Sequence, residues 1–138
     1  MLNLHFFLFI RNLRHHFSTV LNKMYWYTTS YKYYGCANLK NVSIGDGVTT
    51  IGNWAFFGCS SLDYFSYGFA VETIGEEAFS DCVNVTKLIS HAVTPPSCGT
   101  QALDDINKWN CTLQVPANCI TQYQQADQWK EFFFVEGL

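Results

Sequence analysis

"IGNWAFFGCSSL" at residues 51–62 is followed, 23 residues on, by "IGEEAFSDCVNV" at residues 74–85. Both strings write Ile-Gly, two free positions, Ala-Phe, two free positions and Cys. The register extends outward without a gap. A shift of 23 superimposes Cys36, Cys59 and Cys82, then Leu39, Leu62 and Val85, then Val42, Phe65 and Leu88. Self-similarity at a fixed period of this length marks a repeat architecture. A looser copy follows: "GTQAL" (residues 99–103) matches "GEEAF" (75–79) at a shift of 24, Leu113 matches Leu88 at a shift of 25, and Cys98 stands where the earlier copies have Ile. A degenerate copy precedes, with Tyr33 on the Phe site and Lys32 on the Ala site. Two well-formed units are thus flanked by two worn ones.

Each unit has two halves. "LKNVSI" (39–44) ends in the alternation of a strand. "GDGV" (45–48) reads as a tight turn. In "IGNWAFFGC" (51–59), Ile51, Ala55, Phe56 and Cys59 are spaced to share one side of a short helical turn. One strand and one turn cannot bury these side chains alone. Stacked copies can, because each apolar site then covers its equivalent in the next unit.

The pattern L-x-x-V-x-I, a turn, then I-G-x-x-A-F-x-x-C resembles the leucine-rich repeats of the BspA-like bacterial surface family, over roughly residues 33–135. "TPP" (94–96), "CTLQVP" (111–116) and "YQQADQWKEF" (123–132) resemble the closing unit of such proteins. The resemblance implies an α/β fold: a short right-handed leucine-rich-repeat solenoid with a parallel sheet on one face, short helical turns on the other and a C-terminal capping helix. It also implies an extracellular or cell-surface location and a function in binding, not catalysis. The domain reading is an atypical segment and degenerate repeat over residues 1–32, the solenoid over 33–116 and a cap over 117–138.

Strand alternation assigns the faces. Val42, Phe65, Leu88 and Leu113 form one inward ladder, and Ile44, Tyr67, Ser90 and Val115 a second, less uniform one that is expected to be loose at Tyr67 and Ser90. Four rungs would make a face about 20 Å long. Asn41, Ser43, Tyr64, Ser66, Lys87, Ile89, Thr112 and Gln114 point outward, with His91 just beyond the third strand. This row is the candidate partner-binding surface, with Tyr64 beside Lys87 and Ile89 as its anchor. The bland reading is a solvated sheet face in a spacer or terminal fragment of a longer array. An open N-terminal edge would allow self-association.

Cys36, Cys59 and Cys82 recur at one site. Equivalent Cβ atoms a rung apart, about 4.8 Å, lie beyond what a disulfide wants, so a buried ladder of free thiols is expected. Cys98 joins the core, and a Cys111–Cys119 bridge stays open as an alternative. Near the C-terminus, Tyr123, Ala126, Trp129, Phe132 and Phe133 predict a capping helix from about Ile120, with Asn118 as N-cap and Trp109 adding to the plug.

The 138 residues favour one domain. Only 14% are charged and 49% are apolar, which excludes disorder. A net charge of -3 gives no basic footprint for nucleic acid. No apolar run approaches the roughly 18 residues of a membrane span. The run from Leu2 to Ile10 lacks a preceding positive charge and a following small-residue cleavage site, so it matches a secretory signal poorly; an amphipathic helix or irregular segment is expected there. His15 and His16 are adjacent and make a poor metal pair; no cofactor or metal site is expected. Asp104 and Asp105 read as solvated loop charges. No nucleophile elbow, phosphate-binding loop or zinc-protease motif occurs, so the chain is read as a non-enzyme. Its partner would be a protein or a host or matrix surface.

Overall fold

In the computed structural model, residues 33–138 are described together with the backbone of two earlier strands, Ser18–Leu21 and Trp26–Thr28. The readings of Leu2–Ile10, His15, His16 and Lys32 lie outside the described residues. Ten strands follow in order: β1 (Ser18–Leu21), β2 (Trp26–Thr28), β3 (Asn41–Ile44), β4 (Val48–Ile51), β5 (Tyr64–Tyr67), β6 (Thr73–Ile74), β7 (Lys87–Ser90), β8 (Ser97–Cys98), β9 (Thr112–Val115) and β10 (Phe134–Gly137). They form two parallel sheets. The larger has the order β1-β3-β5-β7-β9-β10, and the smaller β2-β4-β6-β8. The first eight strands therefore alternate between the two sheets, and β9 and β10 extend the larger one alone.

The pairing preserves the sequence register. Val42 lies beside Phe65, Phe65 beside Leu88, and Leu88 beside Leu113. Both inward ladders are sealed, from Val42 to Leu113 and from Ile44 to Val115. Phe56 stacks on Phe79 with centroids 5.2 Å apart and rings within 5° of parallel, and Tyr33 stacks on Phe56 at 5.0 Å. Like covers like through the core, and each such ring pair is worth about 0.5–1.5 kcal/mol beyond its area.

Three features depart from the sequence reading. First, the larger sheet has six rungs, not four. β1 pairs with β3, and β10 with β9, in unbroken register. The face is therefore about 24 Å from its first strand to its last.

Second, the turns after Ile51, Ile74 and Cys98 are not helical. Ile51 ends β4. Beyond it, Trp54, Glu77 and Gln101 occupy equivalent positions with φ of 52°, 46° and 54°, and Gly35, Gly58 and Asp81 form a second left-handed set with φ of 67°, 72° and 61°. Two left-handed residues in each of the turns after Ile51 and Ile74, and one in the turn after Cys98, rule out an α-helix. The reason lies in the backbone donors. Trp54, Phe56 and Gly58 donate their N–H groups to Glu76, Ala78 and Ser80 of the next repeat, at 2.8–2.9 Å. A helix would have used those donors internally. The turn thus forms its own ladder between repeats. Gly75 is demanded by this close stacking: a Cβ there would lie 2.5 Å from Asn53 N and 2.7 Å from Gly52 C.

Third, the cap is helical for only one turn. A 3-10 turn (Ala117–Cys119) leads into α1 (Ile120–Tyr123), and a second 3-10 turn (Trp129–Glu131) precedes β10. Asn118 does not cap a helix; its Oδ1 accepts from the Cys119 thiol. Tyr123, Trp129 and Phe132 are buried as expected, but Phe133 and Trp109 are 62% and 73% exposed. The closing segment follows the sheet, not a helical period.

Candidate binding face

The outward positions of the larger sheet fall into two straight rows. One runs Asn41, Tyr64, Lys87, Thr112, and the other Ser43, Ser66, Ile89, Gln114. β10 extends both, adding Phe134 beside Thr112 and Glu136 beside Gln114. These last two were absent from the sequence reading. The spacing of 22 from Leu113 to Val135 was the available signal, obscured by the run "FFFV" (132–135).

Tyr64, Lys87, Ile89, Asn41, Ser43 and Gln114 are half-buried, and His91 is exposed. The flanking rungs account for that partial cover. Ser66 is the exception, 8% exposed, and it donates to Ser43 Oγ at 3.0 Å. Ser66 therefore fills the row and offers little surface. Gln114 donates its amide to Glu136 Oε2 at 3.2 Å. Lys87 makes no ion pair among the described residues. Tyr64 lies directly beside Lys87 on the neighbouring strand and Ile89 two residues further along the same strand, on the same face. One cation between an aromatic ring and an aliphatic side chain can clamp a partial negative charge or a second apolar group.

Two further surfaces adjoin this face. Trp109 and Phe133 stack at 4.7 Å, and Phe133 meets Phe134 edge-on at 5.0 Å. The trio is held by backbone contacts: Phe133 N–H donates to Lys108 O, and Trp109 N–H to Asn107 Oδ1. Lys108 ties the same corner down by donating to Leu103 O and Asp104 O and pairing with Glu131 at 3.5 Å. Elsewhere, an open groove of about 360 Å³ lies between the turns after β5 and β7, lined by Phe69, Val71, Glu72, Val93, Thr94 and Pro95.

The second inward layer is tight, contrary to expectation. Ser90 Oγ lies 2.5 Å from the Tyr123 hydroxyl, which donates to Ala92 O at 2.8 Å. Tyr67 packs beside them, fully buried, with a hydroxyl that has no hydrogen bond of ordinary geometry. Burial drives its ionisation far above the usual tyrosine range. All six cysteines are free thiols, so no Cys111–Cys119 bridge forms. The Cys59 and Cys82 thiols donate to Tyr33 O and Phe56 O of the preceding repeat, at 3.2 and 3.1 Å. Burial pushes the Cys98 and Cys111 thiols up to about 12, which keeps them protonated and inert at neutral pH.

Among the described residues, no three His, Cys, Asp or Glu side chains gather in a group that could hold a metal ion. No helix among them is long and apolar enough to cross a membrane. Asp104 and Asp105 are exposed, and Asp105 accepts from the Asp81 N–H at 2.9 Å, a loop brace.

Stacked repeats with a sealed interior and a ruled outer sheet define a repeat protein of the kind often used for binding. The chain belongs to the family described as BspA type leucine rich repeat region (6 copies), whose model matches residues 27–126. No curated protein matches the chain.

Proposed function

We propose that the chain is a non-enzymatic protein-binding or adhesion module, wound as a right-handed solenoid, that presents the outward face of its larger sheet to a protein or to a host or matrix surface. The observation that carries this reading is the cluster of Tyr64, Lys87 and Ile89 at the centre of two unbroken outward rows. Rigid neighbours fix their spacing, so little side-chain freedom is lost on binding. Tyr at the centre of such a patch is a favoured anchor. The family is generally non-enzymatic and typical of bacterial surfaces, which supports a cell-surface or extracellular location.

The test uses the purified chain against immobilised matrix proteins, read by interferometry. Replacing Tyr64 and Lys87 together by Ala is expected to weaken capture by about tenfold or more. Unchanged capture by a variant with an intact circular dichroism spectrum would remove the sheet face as the binding surface.

A second reading, a spacer or terminal cap of a longer array, is favoured by one feature. Gln128 and Trp129 occupy the end of the smaller sheet where a further repeat would stack. Under that reading the outward rows have no ligand, and no variant on them alters any binding. Self-association through the N-terminal edge would use β1, the first strand of the larger sheet.

A further inference from the structure

The two sheets end differently at the C-terminal side. The smaller sheet is closed by side chains: Gln128 Nε2 donates to Gly99 O at 2.6 Å, Gln128 Oε1 accepts from Leu103 N–H at 3.0 Å, and Trp129 Nε1 donates to Pro96 O at 2.8 Å. These polar atoms imitate the backbone of a next repeat. The larger sheet has no such closure. Among the described residues, β10 pairs with β9 and with no second strand. Leu138 N–H turns back to Val115 O. The alternation of a strand then aims the N–H and C=O groups of Val135 and Gly137 away from β9, toward the open edge. Natural edges are blunted by short length, charged side chains, Pro or a bulge; β10 is short and carries one charge, Glu136, with no Pro and no Lys. β10 reads Phe-Val-Glu-Gly, and its register with β9 is unbroken. Phe133, Phe134 and Leu138 are each about half exposed or more along it, at 62%, 48% and 51%.

We propose that this edge is a homodimer surface, on which β10 of a second copy pairs antiparallel so that the two larger sheets become one. Self-complementarity selects the second copy and the register. A twofold axis normal to the sheet keeps both cores on the same side, so inward residues must face inward ones. Centring the axis on Val135 sets Val135 opposite its own copy, with its free N–H and C=O groups exchanged. It also sets Phe134 opposite Glu136 and Phe133 opposite Gly137. Centring on Glu136 would oppose two carboxylates. Centring on Phe134 would shorten the pairing at the strand's start. The Val135 register avoids that like-charge pair and still opposes Phe134, Val135 and Glu136 to residues of the second strand. The glycine opposite Phe133 leaves room for the Phe133–Trp109 stack, which the second copy then covers. A strand this short, with one aromatic cluster, belongs with small interfaces and predicts a weak, concentration-dependent dimer.

Sedimentation equilibrium from about 10 µM to about 1 mM should show a reversible monomer–dimer transition. Val135→Pro, which removes one edge donor while leaving the β9 ladder intact, should abolish it. Phe134→Glu and Phe134→Lys test the register on an exposed side chain. The first creates two Glu–Glu pairs across the axis and the second two Lys–Glu pairs, so their dimer dissociation constants should differ by about tenfold, the Glu variant being the weaker. Amide exchange at Val135 and Gly137 should slow as concentration rises, while Phe134 and Glu136 stay unchanged. A chain that is monomeric at about 1 mM overturns the proposal. So does a dimer that survives Val135→Pro in a folded variant, or equal behaviour of the two Phe134 variants. None of these measurements involves a ligand, so the result is independent of the proposed binding function.

Discussion

The middle of the molecule and its C-terminal closure solve one problem in two ways. Between Tyr33 and Leu103, aromatic core side chains are covered by their equivalents one repeat away: Tyr33 on Phe56 and Phe56 on Phe79. After β9 the repeat gives way, from Ala117 to Phe133, to single large side chains that stand in for a missing unit, before β10 adds a last rung to the larger sheet. Trp129 is fully buried, meets Tyr123 edge-on at 5.3 Å and donates to Pro96 O. Periodic packing needs only that copies be alike. Closure needs side chains long enough to satisfy both the apolar surface and the orphaned backbone groups of the last repeat.

The largest effects should separate the two regions. Trp129→Ala and Phe79→Ala each remove a fully buried aromatic and should each cost about 3–5 kcal/mol in denaturant unfolding. If closure and repeats form one cooperative unit, both variants lower a single transition. An early, separate transition in Trp129→Ala alone would show that the closure unfolds independently of the stack. Gly75→Ala comes next. Its Cβ would strike Gly52 and Asn53 backbone atoms, and overpacking of this kind costs about 1–3 kcal/mol, with more if the turn ladder must part. A loss below about 0.5 kcal/mol would mean that the turns are not tightly stacked in solution.

Two hydroxyls at the junction sharpen the contrast. Tyr123→Phe strips Ser90 Oγ and Ala92 O of a partner and should destabilise by about 1–3 kcal/mol. Tyr67→Phe removes a buried hydroxyl with no hydrogen bond and should be neutral or stabilising by up to about 1 kcal/mol. The opposite ranking, measured by urea midpoints, would show that Tyr67 holds a partner the packing does not reveal.

The smallest effect at neutral pH grows with alkalinity. Burial pushes Cys98, Cys111 and Tyr123 up to about 12, from ordinary values of 9.0 for the thiols and 10.0 for the hydroxyl. The folded chain keeps these protons where the unfolded chain loses them. Their contribution is therefore whole below about pH 9 and lost as the pH rises toward about 12. The urea midpoint should fall steadily above about pH 9. A midpoint level up to about pH 11 would mean that these groups reach water in the folded state.

How much of this was legible depended on whether a residue's partner was another copy of itself. Phe56 and Phe79, Leu88 and Leu113, and the thiol sites are visible as spacings because their environment is one repeat away. The outward row from Asn41 to Gln114 followed from strand alternation alone. Ser66 was misread as offered surface because its bond to Ser43 depends on the distance between rungs. Phe134 and Glu136 went unseen because no alternation separates Phe132, Phe133 and Phe134. Periodicity also mistook the turn for a helix. The spacing of Ile51, Ala55, Phe56 and Cys59 is compatible with a helix, and only the neighbouring repeat shows where the N–H groups of Trp54, Phe56 and Gly58 go.

By itself the sequence determined the period, the inward ladders and the stacking of like on like, since a side chain that recurs every 23 residues can be buried by its own copies. Tertiary structure alone decided the second sheet, the left-handed turns, the Ser90–Tyr123 contact, the Gln128 closure and the open edge at β10. Each of these depends on where backbone donors and acceptors meet across repeats, and main-chain hydrogen bonds leave almost no mark on the identity of the side chains.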